Sequence, residues 1–249
     1  MPPVGAAVLP HPPLLVPELA GAAVAELDPL RAACRQALSR IIAAADAIVV
    51  VGDGPAWGVP EPSARGSFRP YGAEVEVTLP PLPTLDLPGL PAPARLPGLP
   101  LSLAVAAHLL TDHDPLPERL FAATVPASLG PGAAAAIGQV LVRAGAPDEP
   151  VGLVVMGDLS ACRSEEAPGA LRPGAATFDA SVAEALRTGE PERLLDLDPA
   201  EAADLLVAGR VPLQVLAGAF QDRPVARGEV LYEAAPYGVG YLVAVLTSP

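Results

Sequence analysis

Uninterrupted apolar runs recur along this chain, and each stops abruptly at proline or at polar residues. Gly5–Leu9 (GAAVL) runs into Pro10-His11-Pro12-Pro13. Residues 47–52 (AIVVVG) run into Asp53-Gly54-Pro55. Val151–Met156 (VGLVVM) runs into Gly157-Asp158-Leu159-Ser160-Ala161-Cys162-Arg163. Short runs of small and β-branched residues without polar alternation predict strands buried on both faces, as in a parallel sheet. Residues 120–126 are a further candidate of this kind. Residues 73–79 (AEVEVTL) alternate instead, which predicts a strand with one exposed face near a sheet edge. Residues 229–235 and 240–246 read as a closing pair of strands, joined through Pro236-Tyr237-Gly238 as a hairpin.

Between these runs the apolar positions take helical spacing. Leu27, Leu30, Cys34, Leu38, Ile41 and Ile42 form one stripe over residues 27–45, with Arg31, Arg35 and Arg40 off it. This is the clearest predicted helix, and with the strand on either side it makes a βαβ unit. Further helices are predicted over 101–110, 133–144, 178–186 and 213–220. Residues 191–208 read as a broken helical pair, with Asp198-Pro199 as a start signature. Residues 55–72 read as loop. Residues 80–100 contain eight prolines, which exclude a helix or a central strand. Leu82, Leu85, Leu87, Leu90, Leu96 and Leu99 would pin that segment to the surface, or make it a lid over a pocket. The expected fold is α/β: a single domain with a mixed central β-sheet and helices on both faces.

Composition narrows the class. With 51% hydrophobic and 17% charged residues, the 249-residue chain is not a disordered one. No apolar run approaches the ~18 residues of a membrane span. The opening MPPVGAAVLPHPP has no basic stretch before its apolar run, so no secretion signal and a cytoplasmic location are expected. A net charge of −13 repels phosphate backbones, so neither nucleic acid nor membrane is an expected partner. All 15 basic residues are Arg, which excludes Schiff-base and P-loop lysine chemistry. Cys34 and Cys162 have no C-x-x-C or zinc-finger spacing, and Cys34 lies on an apolar stripe as a small core residue. Gly52-x-Gly54 lacks the third glycine of a dinucleotide fingerprint. His108 and His113 read as core or solvated residues.

Candidate chemistry sits where the apolar runs end. In open α/β sheets, ligands bind beyond the carboxyl ends of strands. If the first three buried strands are parallel, His11, Asp53 and Asp158 converge at one sheet edge. Ser160, Cys162 and Arg163 follow Asp158 on the same loop and should line the same cleft. Glu233 is a further candidate on the penultimate strand. Asp158-Leu159-Ser160 has two readings, a ligand-binding group or a set of side chains capping nearby backbone N–H groups.

Three segments together resemble the LigB-type class III extradiol dioxygenase superfamily, which includes the Memo-like proteins. They are Val8-Leu9-Pro10-His11-Pro12-Pro13-Leu14-Leu15; then Met156-Gly157-Asp158-Leu159-Ser160 with Pro168-Gly169 and Thr177-Phe178-Asp179; then Tyr237-Gly238-Val239-Gly240-Tyr241. The chain looks closest to an actinobacterial LigB-like branch. The resemblance implies a LigB/Memo-like fold and a non-haem Fe(II) site of two His and one Glu, with a further His as acid/base. His11 matches the first ligand. Where the second ligand is expected stands Asp53-Gly54-Pro55, and where the acid/base His is expected stands Ala161. An altered site of His11, Asp53 and Glu233 would hold one divalent metal (Fe, Zn or Mn), with oxygen ligands shifting preference toward harder cations. Asp158, Ser160, Cys162 and Arg163 would be its catalytic neighbours.

Three functional readings follow. One is a diverged dioxygenase-superfamily oxidoreductase acting on or binding a small polar or aromatic ligand. Another is a non-catalytic Memo-like protein using the same cleft, with no metal. The third is a metal-independent enzyme with Cys162 as nucleophile and Arg163 lowering its pKa. Self-association as a homo-oligomer is left open.

Overall fold

The apolar runs line up as one nine-stranded sheet. The computed structural model describes residues 3–21, 24–80, 87–113, 115–143, 149–221 and 223–249. Its strands are β1 (Gly5–Leu9), β2 (Ala47–Asp53), β3 (Gly58–Ser67), β4 (Glu76–Thr78), β5 (Ala94–Gly98), β6 (Arg119–Val125), β7 (Val151–Met156), β8 (Arg227–Ala234) and β9 (Tyr241–Thr247). They are ordered β4-β3-β6-β2-β7-β1-β9-β8, with β5 also on β3. β6, β2, β7 and β1 are parallel. β9 runs antiparallel to β1, and β8 antiparallel to β9. The parallel strands are the uninterrupted apolar runs, because a strand covered on both faces has no place for a polar side chain. The alternating stretch forms β4 at one edge, as its pattern predicts.

The helices are α1 (Pro17–Ala20), α2 (Asp28–Ala44), α3 (Leu101–Leu110), α4 (Pro131–Leu141), α5 (Ala175–Thr188), α6 (Pro199–Asp204) and α7 (Arg210–Phe220). On one sheet face, α2 and α3 pack Leu38, Ile41 and Leu103 against Leu9, Val50, Val154 and Val243. On the other, α4, α5 and α7 pack against Val8, Val49, Val155 and Leu242. Neighbouring strand residues thus serve opposite cores, as the period of two requires. The fold is a single α/β domain with a mixed sheet between two helical layers, as expected.

Several local expectations are corrected. Residues 55–72 are not loop throughout, since β3 occupies Gly58–Ser67. Pro60 and Pro62 mask its pattern, and they are tolerated because the pairing shifts register between Pro60 and Arg65. The proline-rich segment contributes β5, with Leu87, Leu96 and Leu99 buried and Leu90 partly buried. Leu82 and Leu85 lie outside the described residues. α5 is longer than its apolar core and stops at Gly189, which takes φ 71°. Arg31 lies off the apolar stripe yet is buried. Its guanidinium donates to the carbonyls of Leu14 (2.9 Å), Leu15 (3.0 Å) and Val24 (2.8 Å), tying the chain that leaves β1 to α2.

α4 and α7 meet almost backbone to backbone through Gly138 and Gly218. A Cβ at Gly218 would collide with the backbone of Ala135, which cannot swing aside as a side chain would. Gly218→Ala is therefore expected to cost about 2–3 kcal/mol, the scale of core overpacking. Gly132→Ala on α4 meets nothing within 4 Å and should be neutral or stabilising by helix propensity. Urea denaturation of both variants checks the pair. Equal midpoints would contradict this packing.

Candidate functional site

β2, β7 and β1 are adjacent and parallel, with Val51 opposite Val155 and Leu9 opposite Met156. Their carboxyl ends therefore share one edge. His11 follows β1 by two residues, Asp158 follows β7 by two, and Asp53 ends β2. The sheet thus delivers one imidazole and two carboxylates to the same place.

The local geometry holds them tightly. The backbone N–H of His11 donates to Asp158 Oδ1 at 2.7 Å, and that of Gly157 to the Leu9 carbonyl at 2.8 Å. His11 is 4% exposed. Its Nε2 lies 3.2 Å from Asp53 Oδ1, and its Nδ1 lies 3.9 Å from Asp158 Oδ1. The imidazole is clasped between the two carboxylates, one on each ring nitrogen. Yet the approach to Asp53 is not an aligned hydrogen bond. Asp53 Oδ1 and His11 Nδ1 are both buried without a hydrogen-bond partner among the described residues. Ser102 Oγ fixes the Asp53 backbone by donating to its carbonyl at 2.6 Å. Gly54 lets that backbone run against Thr124, where a Cβ would come within 2.6 Å.

Burial pushes the Asp158 carboxyl above its usual range. The charge and backbone N–H of His11 pull it back, and nearby Asp53 raises it further. Tyr241, the first residue of β9, is 4% exposed. Its phenol is pushed up by burial and then by Asp158, and the antiparallel pairing of β9 on β1, with Ala244 opposite Val8, brings the start of β9 to the same edge. By sequence pattern alone Tyr241 is a plain strand residue. The cue to its place is the antiparallel pairing beside β1, which fixes which end of β9 meets the site.

Ser160, Cys162 and Arg163 do not join His11, contrary to expectation. The Ser160 N–H and hydroxyl both donate to Asp179 of α5, at 2.9 and 2.8 Å, and Arg163 Nη1 donates to Asp179 Oδ2 at 2.8 Å. Asp179 is 2% exposed. A carboxylate buried that deeply needs donors, and these residues supply them. Burial raises its carboxyl, while the bonds from Ser160 and Arg163 lower it. The capping reading fits Asp158, whose side chain accepts the His11 backbone N–H, but not Ser160, whose hydroxyl donates to Asp179 instead. Cys162 is fully buried, with Sγ 3.4 Å from the Leu205 carbonyl and no base in contact. Glu233 stands on β8, the edge strand beyond β9, and pairs with Arg187 of α5 at 2.7 Å. That ion pair is well exposed and away from His11.

These positions do not fit the metal arrangement the resemblance implies. A facial site needs three donors aimed at one point. His11 Nε2 and Asp53 share one side, Asp158 is on the opposite ring nitrogen, and Glu233 is elsewhere. Among the described residues, no group of three or more His, Cys, Asp and Glu side chains is arranged to hold a metal ion. Cys34 is a core residue, as expected, its thiol pushed up to about 12 by burial. His108 packs edge-on to Phe68, with ring centroids 6.2 Å apart. Among the described residues no helix is long and apolar enough to cross a membrane.

No protein-family model and no curated protein matches the chain. Solved structures do. The uncharacterized protein JW3007 from Escherichia coli K12 superposes with a TM-score of 0.63 at 16% identity, over 98% of this chain and 100% of that one. At that identity the likeness shows the fold alone, a shared α/β architecture spanning the whole chain.

The raised Asp158 carboxyl has a signed consequence. Folded Asp158 keeps its proton to higher pH than the unfolded chain, so the folded state binds more protons in that window. Stability then falls as pH rises from the ordinary value of 3.8 through the raised one. Asp158→Asn keeps an acceptor for the His11 N–H and removes the ionisation. Relative to wild type, the variant should gain stability progressively above pH 3.8 and not below it. Urea denaturation across a pH series tests this. A wild type–variant difference independent of pH would show that burial does not govern this carboxyl.

Proposed function

We propose that this protein is a diverged relative of the LigB-type dioxygenases and Memo-like proteins that binds a small hydroxylated or aromatic ligand at the His11 edge and no longer cleaves rings. The observation that carries this reading is the pair of orphaned atoms in the clasp, Asp53 Oδ1 and His11 Nδ1. A buried polar atom without a partner costs ~1–3 kcal/mol. A ligand hydroxyl that reaches the clasp from the Asp53 side gives that carboxylate a donor. The Asp53 side chain is 37% exposed, so solvent and ligand reach the clasp from its side.

The chemistry of such a site is proton handling. His11 can hold a proton on the nitrogen facing Asp53 or on the one facing Asp158, and it can pass one to or from a bound hydroxyl. Support for the family comes from the three sequence segments and from an α/β fold of the expected kind. Support for the loss of ring cleavage comes from Asp53 and Ala161 standing where the second ligand and the acid/base His are expected, and from the divided placement of the carboxylates. The chemistry needs no metal in this reading.

Two measurements test it. Anaerobic loading with Fe(II), followed by oxygen and catechol or protocatechuate, should give no yellow ring-opened product; rapid colour would overturn the proposed loss. Calorimetric titration with catechol should show saturable binding. Asp53→Asn should weaken it about tenfold, the size of one hydrogen bond to a charged group. Catechol that gives no saturable heat, or that ignores Asp53→Asn, would sink the ligand assignment.

A further inference from the structure

The loop after Asp158 lines a concavity separate from the His11 clasp. It has a volume of about 460 Å³ and is lined by Cys162, Arg163, Leu171, Arg172, Pro173 and the first residues of α5. That size is in the range of small-ligand pockets. Apart from the two arginines and the buried Cys162, its lining residues are apolar.

The sign of its charge is unusual for this chain. The protein carries −13 overall, yet this concavity has two guanidinium groups and no carboxylate among its lining residues. The polar cavity beside α6, of about 290 Å³, sets Arg193 among Asp196, Asp198 and Glu201 instead. Neither guanidinium of the larger concavity is saturated. Arg163 commits Nη1 to Asp179, which fixes its direction, and a guanidinium has five N–H donors. Arg172 meets Asp204 at 3.2 Å, but the Asp204 side chain is 79% exposed, so that pair is weak and exchangeable.

Backbone strain gathers around the same loop. Among the described residues, three that are not glycine have positive φ: Ala170 (54°), Leu206 (56°) and Tyr237 (58°). Ala170 lies on the loop. The Leu205 carbonyl, just before Leu206, accepts from the Ala161 N–H and the Cys162 thiol. The Gly238 carbonyl, just after Tyr237, accepts from the Arg163 N–H. Such conformations persist only where surroundings over-determine them, and they cluster at ligand clamps. Leu171, which lines the concavity with the arginines, is 53% exposed, apolar surface left in water.

We infer that this concavity binds a small organic carboxylate with an apolar body, the carboxylate on Arg163 and Arg172 and the body against Leu171, Pro173 and Ala176. A planar carboxylate suits the guanidinium fork. The apolar walls add little for an inorganic anion, which separates this occupant from phosphate or sulfate.

The probe is phenylacetate, with phenylacetamide as its uncharged counterpart, titrated calorimetrically into the full chain. Phenylacetate should bind saturably with one site, and the amide at least tenfold more weakly. Arg172→Ala should weaken phenylacetate about tenfold, and Arg172→Lys should restore some of the loss. Ala176→Trp, which fills the concavity, should abolish binding. Asp53→Asn should leave it unchanged, because Asp53 belongs to the other site; this separates the inference from the catechol reading. Unfolding midpoints confirm that each variant is folded. Three results would overturn the inference: no saturable phenylacetate binding, equal binding of the amide, or binding lost in Asp53→Asn and kept in Arg172→Ala.

Discussion

The edge of the sheet depends on one carboxylate that is largely, not fully, withdrawn from solvent, its side chain 17% exposed. Asp158 accepts the His11 backbone N–H at 2.7 Å, which joins the chain leaving β1 to the chain leaving β7. The bond links residues far apart in sequence, at the point where the parallel ladder has run out. In a low-dielectric edge such a charge-assisted bond is strong, and its loss would leave a buried acceptor unpaired. It also fixes the imidazole, since holding the backbone of His11 sets where the ring projects between Pro10 and Pro12. The clasp with Asp53 is therefore a consequence of sheet register plus one carboxylate, and it needs no induced movement to form.

A second carboxylate, the buried Asp179, organises the other side of the same loop. The loop backbone is laddered onto the β8–β9 connection, with Leu159 donating to Gly240 and Gly240 to Ser160. Asp179 lies beneath that ladder, and a side chain at Gly240 would collide with its carboxylate. The glycine is thus required by close approach, not by a turn. Residues 158–163 are held on one side through Asp158 and on the other through Asp179, and they form the wall between contrasting environments. One is acidic and centred on an imidazole. The other is lined by arginines and apolar groups.

Much of this was legible in the sequence, and the failures have physical causes. Apolar runs ending in polar residues mark β1, β2 and β7 and bring His11, Asp53 and Asp158 to one edge, because parallel pairing leaves no freedom in where carboxyl ends go. β3 is hidden by Pro60 and Pro62, which break alternation without preventing strand pairing at an irregular register. The partners of Ser160, Cys162 and Arg163 are not legible. Sequence adjacency to Asp158 predicts a shared cleft, but the donors of Ser160 and one N–H of Arg163 are claimed by Asp179, a residue whose sequence position at a helix opening does not announce those partners. Arg31 looks solvent-facing for a similar reason. Its carbonyl partners, Leu14, Leu15 and Val24, precede the helix and have no periodic signature. Glu233 fails because membership of a strand near the site does not fix which face its side chain takes.

Two carboxylates against one imidazole set the electrostatics of the edge. Two neutral imidazoles and a carboxylate can gather around a cation without repelling one another. One imidazole and two carboxylates cannot gather around each other so easily. Asp53 adds to the burial that raises Asp158, and His11 offsets both. The two acids therefore compete for one ring, and the ring separates them. The three groups stand in series, carboxylate, imidazole, carboxylate. A line of that kind stores and relays a proton better than it chelates an ion. The acid–base exchange proposed for this edge asks for such a series, whereas a cation site asks for donors aimed at one point.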